Sequence, residues 1–580
     1  MNPATGMART RCMHGQRMFR RTAPVFTLAL SVAGPMCPQP AAAQRVDEGP
    51  VVRSPHGMVV TDNPLASRAG ARVLAEGGNA VDAAVAAAFV LSVVEPTMSG
   101  LGGRTQILLR MADGRVVAID GTTEVPAAYA GGPAGDEDAY GYATIAVPGT
   151  VAALDDALGT YGTWSLARVL GPAMAHATDG FELPAAEAAR FAAAANRLAG
   201  FPGSRSHFLR TDGSVYREGD VFRQPALAAT LRTIAEQGAD AFYRGELAAT
   251  MARELAEAGA LVTTADLANY RAEASPVVRG RYRDLELFGS YLPASGATTI
   301  EILQILDHFT FDVGSTSWAA LFARALVAGF EDRARVLQPA AAKAAWLTSP
   351  GLAAQRATAI RSGASPSGEP GAAHSGIDEP ENTTHVSVAD RHGNVVALTQ
   401  SVGPTMGSKV TSPALGFIWA ATMGYLGELE PGTRRHWSSQ SPLIVVRDNQ
   451  PLLVLGAAGA RRIISAITQT VSRFVDGGLG LPDALAAPRL HPTSGSVDVE
   501  ARPGAVWSRA RIDSLAALGF TIRPRADSPY FGRVNAIAFD TTTGQWIGAA
   551  DPRWHGGAAA PAGSTGSAAP GVSRRVRWGY

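Results

Sequence analysis

The sequence predicts an α+β fold, and three features predict it. Helical patterns dominate from Pro148 to about Ile360. A pair of strand patterns, Thr384 to Ala389 and Val395 to Ser401, brackets the turn-forming run Asp390-Arg391-His392-Gly393-Asn394. An apolar helix, Asn79 to Val94, precedes both. The chain has 580 residues, room for several domains or one large unit.

Residues 1–43 read as an export signal. Arg17, Arg20 and Arg21 form a basic stretch, Pro24 to Gly34 a short apolar core, and Ala41-Ala42-Ala43 a small-residue cleavage site. The core is too short to span a bilayer, so an exported protein, periplasmic or secreted, is expected with no membrane span. Both cysteines, Cys12 and Cys37, lie in this segment. The mature chain would then have no disulfide, thiol nucleophile or cysteine metal site.

Asn79 is suited to cap its helix, with Asp82 at the third helical position. Between Ala83 and Val94 only Ser92 is polar, so this helix should be buried on most sides. The turn Ser99-Gly100-Leu101-Gly102-Gly103 lacks the strand–GxGxxG–helix or GxxxxGK[ST] context of a nucleotide loop. Thr105 to Arg110 and Val116 to Asp120 read as a hairpin, and Thr316 to Leu337 as one long helix. Gly416 to Ala421, Pro442 to Arg447, Pro451 to Leu455 and Val534 to Asp540 read as strands. Gly456-Ala457-Ala458-Gly459-Ala460 reads as a small-residue turn before a helix, where backbone N–H groups could receive an oxyanion or simply pack closely. Residues 556–572, rich in Ala, Gly, Pro and Ser, read as disordered.

Net charge is +1, which gives no electrostatic case for nucleic acid. Lys343 and Lys409 are the only lysines. No HExxH-like pattern or paired histidine on a helix face is present among the eleven histidines, so no metal and no cofactor is expected.

The chemistry centres on Thr383. Residues 361–382 hold four Ser, four Gly, three Pro and no aromatic residue, so Thr383 stands where a polar loop becomes a strand. A threonine hydroxyl needs a base within reach to act as a nucleophile. Cleavage between Asn382 and Thr383 would supply one, since an α-amine titrates at roughly 7.7–8.0. Taken alone, the same residues also fit an ordinary loop-to-strand junction, where β-branched threonine is common.

From about Gly57 to Ala550 the sequence resembles the γ-glutamyltransferase (γ-glutamyltranspeptidase) family of N-terminal nucleophile hydrolases. The resemblance is carried by Gly77-Gly78-Asn79-Ala80-Val81-Asp82, Val147-Pro148-Gly149-Thr150, Pro293-Ala294-Ser295-Gly296, Asn382-Thr383-Thr384-His385, Ser438-Ser439-Gln440-Ser441-Pro442 and Gly456 to Arg462. It implies a four-layer αββα sandwich built jointly by a heavy chain of residues 44–382 and a light chain of residues 383–580. It implies self-cleavage before Thr383 and an acyl-enzyme on Thr383, discharged to water or an amino acid. Ser401 would steady the nucleophile, with serine where the family usually has threonine. The N–H groups of Gly459 and Ala460 would form the oxyanion hole. Ser438 and Ser439 would bind the substrate carboxylate, and His385 would be structural.

The resemblance breaks at substrate recognition. The position matching the family's carboxylate-binding arginine is Thr122, that of its amine-binding acid is Gly424, and that of a polar asparagine is Gly403. Arg104 is the candidate replacement cation, with Arg434, Arg435 and Arg461 as others. For each, a solvated surface arginine is the simpler reading. The stretch between Gly424 and Ser438 is short, which implies an open groove suited to larger acyl donors. Two substrate readings follow: a glutathione-type γ-glutamyl amide, or a different amide such as a peptide, an N-acyl compound or a polyglutamate. A non-catalytic exported binding protein on the same fold is a reading of another class.

Overall fold

The computed structural model describes residues 46–130, 140–335, 341–363, 382–423, 434–435, 437–493, 495–526 and 530–563. The expected export signal, Gly424 and residues 564–572 lie outside them.

Two antiparallel sheets organise the chain. Their strands are β1 (Val46–Gly49), β2 (Val51–Ser54), β3 (Gly57–Thr61), β4 (Arg104–Arg110), β5 (Val116–Gly121), β6 (Glu273–Ser275), β7 (Val278–Tyr282), β8 (Leu285–Gly289), β9 (Thr384–Asp390), β10 (Val395–Ser401), β11 (Leu443–Arg447), β12 (Gln450–Ala458), β13 (Arg533–Asp540), β14 (Gln545–Ala549) and β15 (Gly557–Pro561). One sheet has the order β1-β15-β3-β9-β10-β4-β5-β6, the other β2-β14-β13-β12-β11-β8-β7. The hairpin after Thr383 therefore lies between β3 and β4, strands drawn from the first fifth of the chain.

The central strands are buried on both faces, and their side chains divide by alternation. Val386, Val388, Val396 and Leu398 join one apolar cluster with α1 (Pro64–Ala75) and α2 (Ala80–Val94). Their neighbours Ala389, Val395 and Ala397 join another, shared with Ile444, Val454 and Ile537 of the second sheet. The other face of that sheet, through Leu287, Val445, Leu455 and Ala536, packs on α3 (Gly296–Asp307), α4 (Thr316–Arg335) and α5 (Arg462–Val475). Double-sided burial explains why β9 is buried at every position rather than at alternate ones.

The α2 helix begins as its sequence predicts. The Asn79 side chain accepts from the N–H groups of Val81 and Asp82, and Asp82 accepts from Asn79 N–H at 2.8 Å, a complete capping box. All fifteen residues of α2 are buried. Gln400 of β10 donates to the Ala88 carbonyl at 2.9 Å and ties the central hairpin to this helix.

Three readings are corrected. Gly557–Pro561, placed in the disordered-looking 556–572 segment, is a fully buried strand paired with β1 and β3. Its run of small residues lacks an apolar alternation, yet small side chains let α1 lie close. A Cβ on Gly557 would stand 3.2 Å from Pro64. Gly456-Ala457-Ala458 belongs to β12 rather than to a turn. Gly456 is required there because a Cβ would stand 2.2 Å from Cε1 of His385 on the facing sheet. Gly416 to Ala421 forms only isolated bridges, Thr411 with Ile418 and Gly102 with Trp419.

Candidate active site

Antiparallel register places Thr384 opposite Gln400, so the next rung sets Thr383 beside Ser401. Both are buried, as is Asn382. The Thr383 hydroxyl lies against the carbonyl oxygen of Asn382, the residue before it. It also stands 3.3 Å from the Ser401 hydroxyl, and its single proton serves one of these acceptors at a time. Ser401 donates to the Asn382 carbonyl at 2.9 Å and accepts from Gly403 N–H at 3.0 Å. Thr405 donates to the Asn382 side-chain oxygen at 2.8 Å. The carbonyl of one peptide bond thus receives two hydroxyls, those of Thr383 and Ser401, while Gly403 N–H holds Ser401 and Thr405 holds the Asn382 side chain.

Beneath Thr383 lies a charged floor that sequence reasoning missed. The Arg533 guanidinium, fully buried, donates to the Thr383 carbonyl at 3.3 Å and lies over the Trp554 ring at 4.7 Å. Its Nε is 3.8 Å from Asp62, whose other oxygen accepts from His385 N–H at 3.1 Å and the Thr384 hydroxyl at 3.2 Å. Glu95 and Glu187 complete the floor, Glu187 accepting from Thr97 at 2.6 Å. Burial pushes the Asp62, Glu95 and Glu187 carboxyls up, Glu95 furthest because two carboxyls face it. Burial, with Arg533 and Arg190 nearby, pushes His555 down to about 4. The available signal was Glu95 itself, a charge directly after the apolar run of α2.

Gly459 and Ala460 follow β12 and precede α5, both at positive φ, +129° and +52°. A Cβ on Gly459 would stand 2.8 Å from Gly532 Cα. Ala458 pairs with Arg533, the residue that reaches the Thr383 carbonyl, so this turn borders the same site. His385 is fully buried, with its ring nitrogens 2.8 Å from Thr399 Oγ1 and 3.1 Å from Ser387 Oγ. Burial pushes its pKa down to about 3, which holds it neutral.

Ser438 is tied to the same hairpin through Gln440. Gln440 accepts from the Ser438 hydroxyl at 3.1 Å and donates to the Thr399 carbonyl, two residues before Ser401, at 2.8 Å. Ser439 accepts from Arg333 at 3.2 Å, and Arg333 lies over the Trp437 ring at 4.6 Å. Arg104 is the cross-strand partner of Ser401, and its Nη1 makes a long contact, 3.5 Å, to the Trp437 carbonyl. Arg333 is a second residue the sequence reading passed over. It lies late in a helix, more than a hundred residues from Ser439.

Two of the other arginines offered as replacement cations, Arg434 and Arg435, are engaged. Arg435 is 6% exposed and pairs with Asp120 at 3.1 Å, Glu124 at 2.8 Å and Glu273 at 3.5 Å. Arg434 pairs with Glu124 and Glu273 at 2.7 and 2.8 Å. Arg461 is half-buried at the start of α5. Thr122 is fully buried and accepts from Gln106 at 2.8 Å. Among the described residues no cluster of His, Cys, Asp or Glu is arranged to hold a metal ion, and no helix is long and apolar enough to cross a membrane.

The chain is similar to known proteins over most of its length. The family profile described as Gamma-glutamyltranspeptidase matches residues 66–561. An acylase ACY 1 proenzyme of Pseudomonas sp. (strain SE83) is 34% identical over 534 residues, 87% of this chain and 93% of that protein. A glutathione hydrolase proenzyme of Escherichia coli (strain K12) is 33% identical over 495 residues, 80% of this chain and 85% of that protein. The crystal structure of cephalosporin acylase from Bacillus halodurans superimposes with a TM-score of 0.78 at 27% identity, covering 92% of this chain and 99% of that one.

Proposed function

The chain belongs to the γ-glutamyltranspeptidase family of N-terminal nucleophile hydrolases, and within it we propose an enzyme that cuts its own precursor before Thr383 and then transfers acyl groups through that residue. The observation that carries this reading is the Thr383 hydroxyl lying against the Asn382 carbonyl, with Ser401 donating to the same oxygen at 2.9 Å. Attack of Oγ1 on the Asn382 carbonyl carbon forms a C–O bond. The C–N bond breaks, and the hydroxyl proton ends on the departing nitrogen. Water then hydrolyses the ester, leaving an Asn382 carboxylate and a free Thr383 amine and hydroxyl. Ser401 stabilises the oxyanion in this first reaction and steadies Thr383 afterwards.

In turnover the Thr383 amine takes the hydroxyl proton, and the hydroxyl attacks an amide of the substrate. The N–H groups of Gly459 and Ala460 receive the oxyanion. The amine part of the substrate leaves, and water or an amino acid or peptide takes the acyl group. The heavy chain, residues 44–382, and the light chain, residues 383–580, stay interlocked as a four-layer αββα sandwich. Support comes from β9 and β10 lying between β3 and β4 and from β8 pairing with β11, contacts that cleavage does not break. Residues 1–43 direct export to a periplasm or beyond.

For the acyl donor the leading class is a glutathione-type γ-glutamyl amide. Ser438 and Ser439 take its carboxylate, with Arg104 supplying the cation. A second reading, an amide other than γ-glutamyl, is favoured by one observation: Thr122 is sealed against Gln106 where the family holds its arginine. The non-catalytic reading is opposed by the retained Thr383–Ser401 geometry. A turnover panel on the processed protein decides the donor. Release of nitroaniline from γ-glutamyl-p-nitroanilide, at a rate above that from glutaryl- and acetyl-p-nitroanilide, is the expected result. Faster release from either of the others selects the second reading, and no release from any anilide favours the binding protein.

A further inference from the structure

We infer that Arg533 is a positioning residue for the nucleophile: its guanidinium holds the Thr383 carbonyl and so fixes where the hydroxyl and the freed α-amine stand. This rests on the reading of Thr383 as nucleophile. Before cleavage Thr383 is anchored by a peptide bond on each side. Afterwards only its carbonyl side remains covalently tied, and that is the group Arg533 grips, at 3.3 Å.

The grip is rigid on several sides. Arg533 is fully buried, lies over Trp554 at 4.7 Å and touches the Met98 sulfur at 3.4 Å. Asp62, 3.8 Å from Arg533, accepts from the Thr384 hydroxyl and His385 N–H. The pair therefore holds three consecutive residues, 383 to 385, from below. The first rung of β13 also sets the Arg533 backbone opposite Ala458, next to the Gly459-Ala460 turn, while its side chain reaches the nucleophile. A planar guanidinium can bridge such groups, whereas an ammonium acts as a point charge. Displacing a reacting group by about 1 Å costs ~10²-fold in rate.

The competing role is simple neutralisation of Asp62, and substitutions separate the two. The full-length chain is prepared with Arg533→Lys and Arg533→Met, each with and without Asp62→Asn, and precursor cleavage is followed by intact mass. Thermal melting identifies the variants that fold. Cleavage is expected to slow about 10-fold in Arg533→Lys and about 10²-fold in Arg533→Met, with no recovery on adding Asp62→Asn. Where the methionine variant does not fold, the lysine pair makes the same comparison. Wild-type cleavage in either Arg533 variant, or recovery to the wild-type rate with Asp62→Asn, overturns the inference. A Thr383→Ala chain is run beside them. If it is still cut at the same bond, the reading of Thr383 fails. If it stays whole while the Arg533 variants cleave normally, only the positioning role fails.

Discussion

The two ends of the site differ in what they keep. At the nucleophile end, Thr383, Ser401, Gly403 and Thr405 are joined in one hydrogen-bonded set around a single peptide bond. At the proposed recognition end, Thr122, which the sequence resemblance matches to the family's cation, is buried against Gln106, and Arg435 is absorbed by Asp120, Glu124 and Glu273. Ser438 joins the nucleophile hairpin through Gln440, Arg333 reaches Ser439, and Arg104 reaches the neighbouring Trp437 carbonyl. On the proposed function, the difference teaches that reaction chemistry and substrate choice are separable. The first depends on strand register within one hairpin. The second depends on side chains from three or four distant segments, each replaceable alone.

Substitutions can break or sharpen that contrast. The largest effect is expected from Arg435→Met, which leaves the buried Asp120 without its cation and Glu124 with Arg434 alone. Loss of one partner from such a cluster costs about 3–5 kcal/mol, and urea unfolding should show it. A change below 1 kcal/mol would return Arg435 to the list of substrate-facing cations. Ser401→Ala comes next. Self-cleavage should slow by roughly 10²–10³-fold, as when an oxyanion donor is lost, while Ser401→Thr stays near wild type. Normal cleavage in the alanine variant would leave the nucleophile end without its proposed partner.

The serine pair is expected to matter less. Ser438→Ala with Ser439→Ala should raise KM for γ-glutamyl-p-nitroanilide by about 10–100-fold, the worth of a hydrogen bond to a charged group. Precursor cleavage should be unchanged. If both fall together, recognition and chemistry are not separable. The smallest effect near neutral pH is a pH dependence, which grows only as acid is added. His385 in the folded chain is held down to about 3, below its ordinary 6.5, by burial. The unfolded chain gains a proton below pH 6.5 that the folded chain refuses. This group therefore costs stability progressively as pH falls from 6.5 towards 3, and the cost vanishes above 6.5. The stability of His385→Gln relative to wild type should rise by about 1.4 kcal/mol per pH unit over that window. A flat difference would mean the ring is not shielded.

What the sequence revealed follows the range of the interactions. The β9–β10 hairpin and the α2 cap are local, so alternation, a turn-forming run and Asn79 with Asp82 suffice to read them. The floor beneath Thr383 is not local. Asp62, Glu95, Arg533 and Trp554 come from four separate parts of the chain and share no spacing. Composition misled at Gly557–Pro561, where a buried strand is written in small residues that composition alone assigns to disorder. Gly456 misled because its glycine serves His385 across the sheet interface rather than a turn. Arg434 and Arg435 read as open cations in the sequence because Glu124 and Glu273, which meet them, lie far away along the chain.

The central claim is that Thr383 cuts the bond before it. The direct test is the intact mass and N-terminal sequence of the purified wild-type chain beside a Thr383→Ala variant. The account predicts two chains from the wild type, the second beginning at Thr383, and one uncut chain from the variant. A wild-type protein that remains whole, or a variant cut at the same bond, would contradict it.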